Sequence, residues 1–126
     1  MSFFNTNIDN KNNLTVHTLK GVVEVNSVYE KLEKHYATGT TKKVIWDARK
    51  ADLSKVTTQK FQNVIKKLKE IAELRRGGKT AFVVANDLVF GLARMGQTFM
   101  EIEDIPFEFR IFRSMEDARK WLGIKD

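Results

Sequence analysis

Cysteine is absent from the 126-residue sequence, which excludes disulfides, thiolate metal ligands and thiol nucleophiles together. Only two histidines, His17 and His35, are present as nitrogen ligands, so a structural zinc site is not expected. No apolar run approaches the roughly 20 residues of a membrane-spanning helix, and the N-terminal residues show no basic stretch followed by a long apolar core. We therefore expect a cytoplasmic protein that has no transmembrane segment and needs no metal or other cofactor.

Acidic residues are too few to balance the basic ones. The sequence has 22 lysines and arginines but only 16 aspartates and glutamates, which gives a net charge of +6. Glu70 and Glu73 interrupt the basic residues of the central region, and aromatic side chains are not interleaved with them as in single-strand binders. We interpret the excess as a solvated helix face with no specific nucleic-acid partner. Weak attraction to acidic partners or a membrane surface stays open. Much of the excess lies in three groups: Lys42 and Lys43; Lys66, Lys67 and Lys69; and Arg75, Arg76 and Lys79.

Proline occurs once and glycine seven times, so the few glycines mark the breaks between elements. Gly77 and Gly78 suit a helix stop, because glycine adopts positive φ without strain. Ala81 to Ala85 form an apolar run of the kind that a strand covered on both faces requires. Asn86 or Asp87 can then cap a following helix. The segment predicts a helix end, a buried strand and a new helix in close succession.

The remaining elements follow from periodicity and turn residues. Gly21 is expected to end the second strand, and the segment that begins at Arg49 is expected to be a loop. Thr57 or Thr58 and Ser114 are the predicted caps of the second and last helices. Strands are predicted near 3–8, 14–19, 43–48, 81–85 and 107–112, and helices near 26–36, 59–76, 87–101 and 115–122.

This order of elements predicts an α/β domain. The first two strands are expected to form a hairpin with the first strand at a sheet edge, and the others to be joined by right-handed crossovers. The helices would lie on both faces of the sheet if the winding reverses, and otherwise the chain forms a right-handed βα superhelix. Either arrangement has a mixed five-stranded sheet and four helices. The length predicts one domain, residues 1–126, and the first strand is not followed by the GxGxxG turn of a dinucleotide-binding domain.

Three segments together resemble the SpoIIAA-like (STAS-like) family of small bacterial proteins. They are KVIWDARKADLS, the stretch RRGGKTAFVVANDLVFGLARM and the terminal FRIFRSMEDARKWLG, with a basic amphipathic helix between the first two. The resemblance covers roughly Leu14 to Gly123. It implies the right-handed βα superhelix, the fold that this family shares with STAS and lipid-binding CRAL-TRIO domains. It also implies a single SpoIIAA-like domain that binds or regulates.

Charged residues gather where open α/β sheets bind ligands, at the carboxyl ends of the strands. Asp47 and Asp52 flank the end of one strand, and Asp87 and Arg113 are expected at the same rim. Such carboxylates can hold a divalent ion or act as acid and base, or they can cap loops and helices. Structural roles are the simpler interpretation.

Two further motifs suggest phosphate chemistry. GGKT at Gly77–Thr80 imitates the end of a P-loop, but it lacks the upstream glycine and leads into a strand, so we interpret it as a helix stop. Ser54 and Thr57 precede a helix at the junction where anti-sigma-factor antagonists of the STAS family carry a phosphorylated serine. This chain reads DLSKVTTQ, without the family's DSSG motif. Helix capping is therefore favoured over a phosphoacceptor role.

The predicted helix 87–101 has an unusually broad apolar surface. We expect Phe90 and Arg94 one turn apart on its exposed side, where the guanidinium can lie over the ring. The surface could face a protein partner, a second copy of the chain or a ligand pocket, or be buried core. The centre of the apolar face is predicted at Leu88, Leu92, Met95 and Phe99.

The sequence thus favours a non-enzymatic binding or regulatory module for a protein partner or a small apolar or anionic ligand. The predicted binding residues are Asp47, Asp52, Asp87, Phe90, Arg94 and Arg113. One alternative is a phosphorylation-controlled switch at Ser54 or Thr57. A third is an enzyme of unknown reaction that uses the rim carboxylates Asp47, Asp52 and Asp87. His17 and His35 are interpreted as surface or boundary residues.

Overall fold

One mixed sheet organises the protein. The computed structural model describes residues 3–124, except for the side chains of Phe3 and Leu88. β1 and β2 form an antiparallel hairpin, and the other neighbouring strands are parallel, which confirms the predicted hairpin, its edge strand and the single mixed sheet. The strands lie in the order β1-β2-β3-β4-β5, namely β1 (Phe3–Asp9), β2 (Leu14–Val22), β3 (Lys43–Asp52), β4 (Lys79–Val83) and β5 (Glu108–Phe112).

Four helices connect or follow these strands, as predicted. The Thr57 hydroxyl accepts a hydrogen bond from the Lys60 N–H at 3.1 Å, and Asn86 and Ser114 cap the third and fourth helices in the same way. The second helix ends earlier than predicted and continues as a 3-10 turn, Glu73–Arg75. The helices are α1 (Val25–Thr38), α2 (Thr58–Ala72), α3 (Asp87–Ile102) and α4 (Met115–Trp121).

The direction of winding never reverses, because each crossover places its strand on the same side of the preceding one. Helices α1, α2 and α3 therefore cover one face of the sheet, and α4 packs on the other. Two hydrophobic layers result. The core under α4 contains Leu14, Ile45, Ala81, Val83, Ala118, Leu122 and Ile124. The core under the other helices includes Tyr29, Leu32, Tyr36, Leu68 and Ala72.

Strands β2 and β3 are longer than predicted. The pairing between them shifts register between Thr18 and Lys20 and then continues to Val22 and Asp52. Gly21, which was expected to end the strand, follows the shift and pairs with Ala51, and as a glycine it adopts its φ of 74° without strain. The expected loop after Ala48 is consequently strand as far as Asp52.

Candidate functional site

A cavity of about 130 Å³ lies between the sheet and helices α1, α2 and α3. Its walls are almost entirely apolar and come from all three helices and the central strands. A cavity of similar size lined by aliphatic and aromatic residues can hold a benzene-sized molecule. The lining includes Val28, Leu32, Trp46, Val64, Ile65, Phe82, Leu92 and Ala93.

Arg75, Tyr36 and Thr80 form a polar end of this cavity. The Arg75 side chain lies at the starts of the parallel strands, and only 2% of the residue is exposed. Its guanidinium donates to the carbonyl oxygens of Thr41 (2.9 Å), Lys42 (3.1 Å) and Lys79 (3.1 Å), and to the Thr80 hydroxyl at 2.7 Å. Arg75 therefore joins the segments that lead into β3 and β4.

Arg75 is buried without an acidic partner. Within residues 3–124, no carboxylate makes an ion pair with its guanidinium. Cζ lies 4.5 Å from the centroid of the Phe107 ring, and the Tyr36 hydroxyl adjoins the guanidinium. Burial lowers the pKa of the Arg75 guanidinium from its ordinary value, an effect that the interaction with Tyr36 opposes.

The interpretation of Arg75 as part of a solvated basic face was wrong. Arg75 lies three residues after Ala72 and seven after Leu68, so it continues the apolar stripe of α2. This spacing was the signal for its burial. Gly78 makes room for it: a β-carbon there would lie 2.5 Å from the Lys42 carbonyl oxygen and 3.3 Å from Arg75 Nη2. The GGKT motif thus serves packing around Arg75 as well as ending the helix.

His17 is likewise not a surface residue, since its side chain is completely buried beside the cavity wall. Its ring centroid lies 4.3 Å from that of Trp46 and 5.4 Å from that of His35. Nδ1 shares a hydrogen bond of 2.9 Å with the Thr6 hydroxyl, and Nε2 has no partner within residues 3–124. Burial, helped by the charges of His35 and Arg75, lowers the pKa of His17 to about 3.

Three of the predicted binding residues come together at the rim. Arg113 pairs with the Asp87 carboxylate, and its Cζ lies 5.0 Å from the centroid of the Phe90 ring. The guanidinium over Phe90 is therefore that of Arg113. Arg94 is exposed on the same helix, whereas Phe90 is half-buried. Asp87, Phe90 and Arg113 form a cluster at the start of α3, with the two charged residues exposed and Phe90 half-buried.

The other predicted carboxylates have separate partners. Asp47 is held by Arg49 through two hydrogen bonds of 2.9 Å, which lower its pKa. Asp52 accepts from the backbone N–H of Ser54 at 2.9 Å, and hydrogen bonds from the Ser54 side chain and backbone lower its pKa as well. Both groups are thus stabilised as carboxylates, whereas a general base is tuned toward neutral pH. Ser54 and Thr57 are exposed, and the Thr57 hydroxyl is engaged as the α2 cap.

Helix α3 is oriented differently from the helical-wheel prediction. Its buried positions are Ala93 and Gly96, while Met95 is exposed and Phe99 is half-buried. The side chain of Leu88 lies outside the described residues. The small residues face inward because α3 packs closely against α2, where Phe61 occupies the space over Gly96. Leu92, Ala93 and Met100 line the cavity, so α3 does form one wall of a pocket.

Within residues 3–124, no three His, Cys, Asp or Glu side chains are grouped so as to hold a metal ion. None of the helices in this part of the chain is long and apolar enough to cross a membrane.

Comparison with known proteins agrees with this architecture. The sheet contains one antiparallel hairpin, and its parallel strands follow one another in a single direction. This arrangement defines an α/β protein with a βα superhelix. The chain has the SpoIIAA-like fold. It is similar to an uncharacterized DUF3478-family protein with that fold from Shewanella loihica PV-4, at 15% identity and a TM-score of 0.59, over 96% of this chain and 93% of the other. Neither a family model nor a curated protein matches the sequence.

Proposed function

We propose that this protein is a non-enzymatic binding module that holds a small molecule with a largely apolar body in the cavity. The observation that carries this proposal is a cavity of about 130 Å³ whose walls are almost entirely apolar. Protein cores are normally packed to crystal-like density. A ligand bound there would contact apolar side chains from three helices and the central strands.

The size of the cavity restricts the ligand. Its volume suits a single aromatic ring or a short aliphatic chain. The apolar lining favours a molecule that is hydrophobic over most of its surface.

A toluene titration followed by methyl NMR tests the proposal. We expect saturable shifts of the Leu32, Ile65 and Leu92 methyl resonances, because these side chains line the cavity. The core under α4 supplies an internal control, since Leu14 and Ile45 lie on the opposite face of the sheet and should not shift. Unchanged cavity resonances at saturating toluene, or equal shifts in both cores, would rule the proposal out.

A cavity-filling variant provides a second test. Ala93 is buried and lines the cavity, so Ala93→Leu should weaken toluene binding by occupying its space. Ala37 is exposed on α1, and Ala37→Leu serves as the matched control that should bind normally. Thermal melts of both variants would show whether each remains folded.

A partner surface on α3 is the second candidate function. Met95 is 38% exposed and Ile102 is 67% exposed on this helix. Arg94 lies beside Met95 and could pair with an acidic side chain of a protein partner or of a second copy.

A further inference from the structure

Arg75 brings a positive charge to the wall of the cavity. A guanidinium has five N–H donors, and Arg75 donates four hydrogen bonds from Nε, Nη1 and Nη2. The Tyr36 hydroxyl makes a further side-chain hydrogen bond with the same guanidinium, which takes up the donor that these four bonds leave. A hydroxyl that accepts a hydrogen bond still has its own O–H to donate. The polar end of the cavity therefore offers the Tyr36 O–H to an acceptor, beside the positive charge of Arg75.

The surroundings of Arg75 solvate its charge without neutralising it. Three of the acceptors are backbone carbonyls and the fourth is the Thr80 hydroxyl, so each contributes only a dipole. The Phe107 ring likewise contributes only its negative face. Buried charges in proteins are normally paired with an opposite charge. Within residues 3–124 the structure supplies no such charge to Arg75, although the residue is only 2% exposed.

We propose that the ligand of the cavity is a small carboxylate, whose carboxylate group accepts from the Tyr36 hydroxyl beside the Arg75 charge and whose apolar body lies along the helix-lined walls. This inference depends on the proposed function, because it assumes that the cavity takes a ligand. It adds that the ligand is an anion. An apolar body of about one aromatic ring agrees with the volume of about 130 Å³.

Four probes of similar size separate the charge of the ligand from its shape. Benzoate is the anion, benzamide its neutral near-isostere, benzylamine the cation and toluene the apolar reference. We expect benzoate to bind the wild-type protein at least about tenfold more tightly than benzamide, the ratio expected for a buried charge-assisted hydrogen bond. Benzylamine should bind most weakly, because its charge has the same sign as that of Arg75. Dissociation constants from methyl NMR titrations measure these ratios.

Two tyrosine variants locate the anion site. Tyr36→Phe removes the hydroxyl beside Arg75 and should reduce the preference for benzoate severalfold while leaving toluene affinity unchanged. Tyr29 lies on the same helix and also lines the cavity, but its hydroxyl donates to the Lys67 carbonyl at 3.1 Å. Tyr29→Phe is therefore the matched control and should keep the full preference. These variants avoid replacing Arg75, which itself holds the strand starts together.

The outcomes distinguish the two proposals. Toluene binding combined with equal affinities for benzoate and benzamide would overturn the carboxylate assignment and leave the apolar binding module intact. Equal loss of preference in Tyr36→Phe and Tyr29→Phe would also overturn the placement of the anion at Arg75. If none of the four probes binds, both proposals fail. A preference for benzoate that Tyr36→Phe alone reduces supports both.

Discussion

The ring of Phe61 on α2 lies against Gly96 on α3 so closely that a β-carbon at Gly96 would be 2.5 Å from Phe61 Cζ. Gly96 is buried, and the missing side chain is what allows the two helices to approach each other. Phe61 also lines the cavity, so this contact helps to set the width of the proposed ligand site. The contact between Phe61 and Gly96 therefore connects the packing of α2 against α3 to the size of the cavity between these helices and the sheet.

Gly96→Ala is expected to destabilise the protein by about 1–3 kcal/mol, as overpacked core positions do. Gly91 on the same helix is exposed, and a β-carbon at this position would have no heavy atom of the surrounding structure within 4 Å. Gly91→Ala should instead stabilise by about 0.5–1 kcal/mol, because alanine is the better helix former. Urea unfolding of the two variants provides the comparison. Equal effects of the two substitutions would show that the Phe61 contact is not restrictive.

Most of the fold could be predicted because it depends on local signals. The periodicity of α2 and the caps Thr57, Asn86 and Ser114 each specify an element from a few neighbouring residues. The apolar run Ala81–Ala85 likewise predicts β4, although the strand covers Lys79–Val83 and so begins and ends two residues earlier. The extended pairing of β2 with β3 could not be predicted in this way, because it depends on a register shift between two strands that are distant in sequence.

The candidate site was harder to predict, because it buries charged and polar residue types that sequence patterns place at the surface. Arg75 and His17 are residue types that usually lie at or near the surface. Arg75 is buried because the backbone carbonyls of Thr41, Lys42 and Lys79 converge on it. His17 is buried because the rings of Phe4, Trp46 and His35 pack around it. A single sequence contains little information about contacts between segments that are far apart in the chain. The continuation of the apolar stripe of α2 to Arg75 is the one signal that indicated its burial.

Arg75→Lys should destabilise the protein by more than about 3 kcal/mol. An ammonium cannot reproduce the planar fork of the guanidinium, and each buried carbonyl left unpaired costs about 1–3 kcal/mol. Arg76 is the adjacent, exposed arginine and pairs with Glu73 at the surface. Arg76→Lys should change stability by less than about 0.5 kcal/mol. Similar denaturation midpoints for the two variants would contradict the structural role assigned to Arg75.

Acidification should weaken the fold through His17. Its folded pKa of about 3 lies below the ordinary value of 6.5, so its contribution to stability is fully present above pH 6.5 and is lost as the pH falls toward 3. The slope is about 1.4 kcal/mol per pH unit in this window. Burial lowers the pKa of His35 in the same direction.

The measurement is the free energy of unfolding between pH 7 and pH 5, a range that lies above most carboxylate titration. His17→Gln should lower overall stability and remove most of the pH dependence. His35→Gln should retain most of it, because His35 is only partly buried. A wild-type slope that survives His17→Gln would show that the pH dependence has another origin.

Phosphorylation of Ser54 or Thr57 is not expected in the native protein. A phosphate on Ser54 would lie beside the Asp52 carboxylate, which repels it, and the Thr57 hydroxyl already caps α2. Thr57→Ala should cost only about 1 kcal/mol as a lost cap. Intact-mass analysis and peptide mapping after incubation with ATP and host extract would detect modification. Stoichiometric phosphate at either residue would favour the switch over the binding module.

The partner surface on α3 predicts an effect on association that is separate from stability. Arg94 and Met95 are exposed, so Arg94→Glu combined with Met95→Glu should change the free energy of unfolding by no more than about 1 kcal/mol. If α3 mediates self-association, the same variant should lower the association constant by at least about tenfold, the result of placing like charges and desolvated carboxylates in an interface. Sedimentation equilibrium measures the association constant.

Lys66→Glu, an exposed charge reversal on α2, is the control for net charge. A wild-type protein that stays monomeric at millimolar concentration, or equal effects of the α2 and α3 variants, would exclude α3 as a contact between copies of the chain.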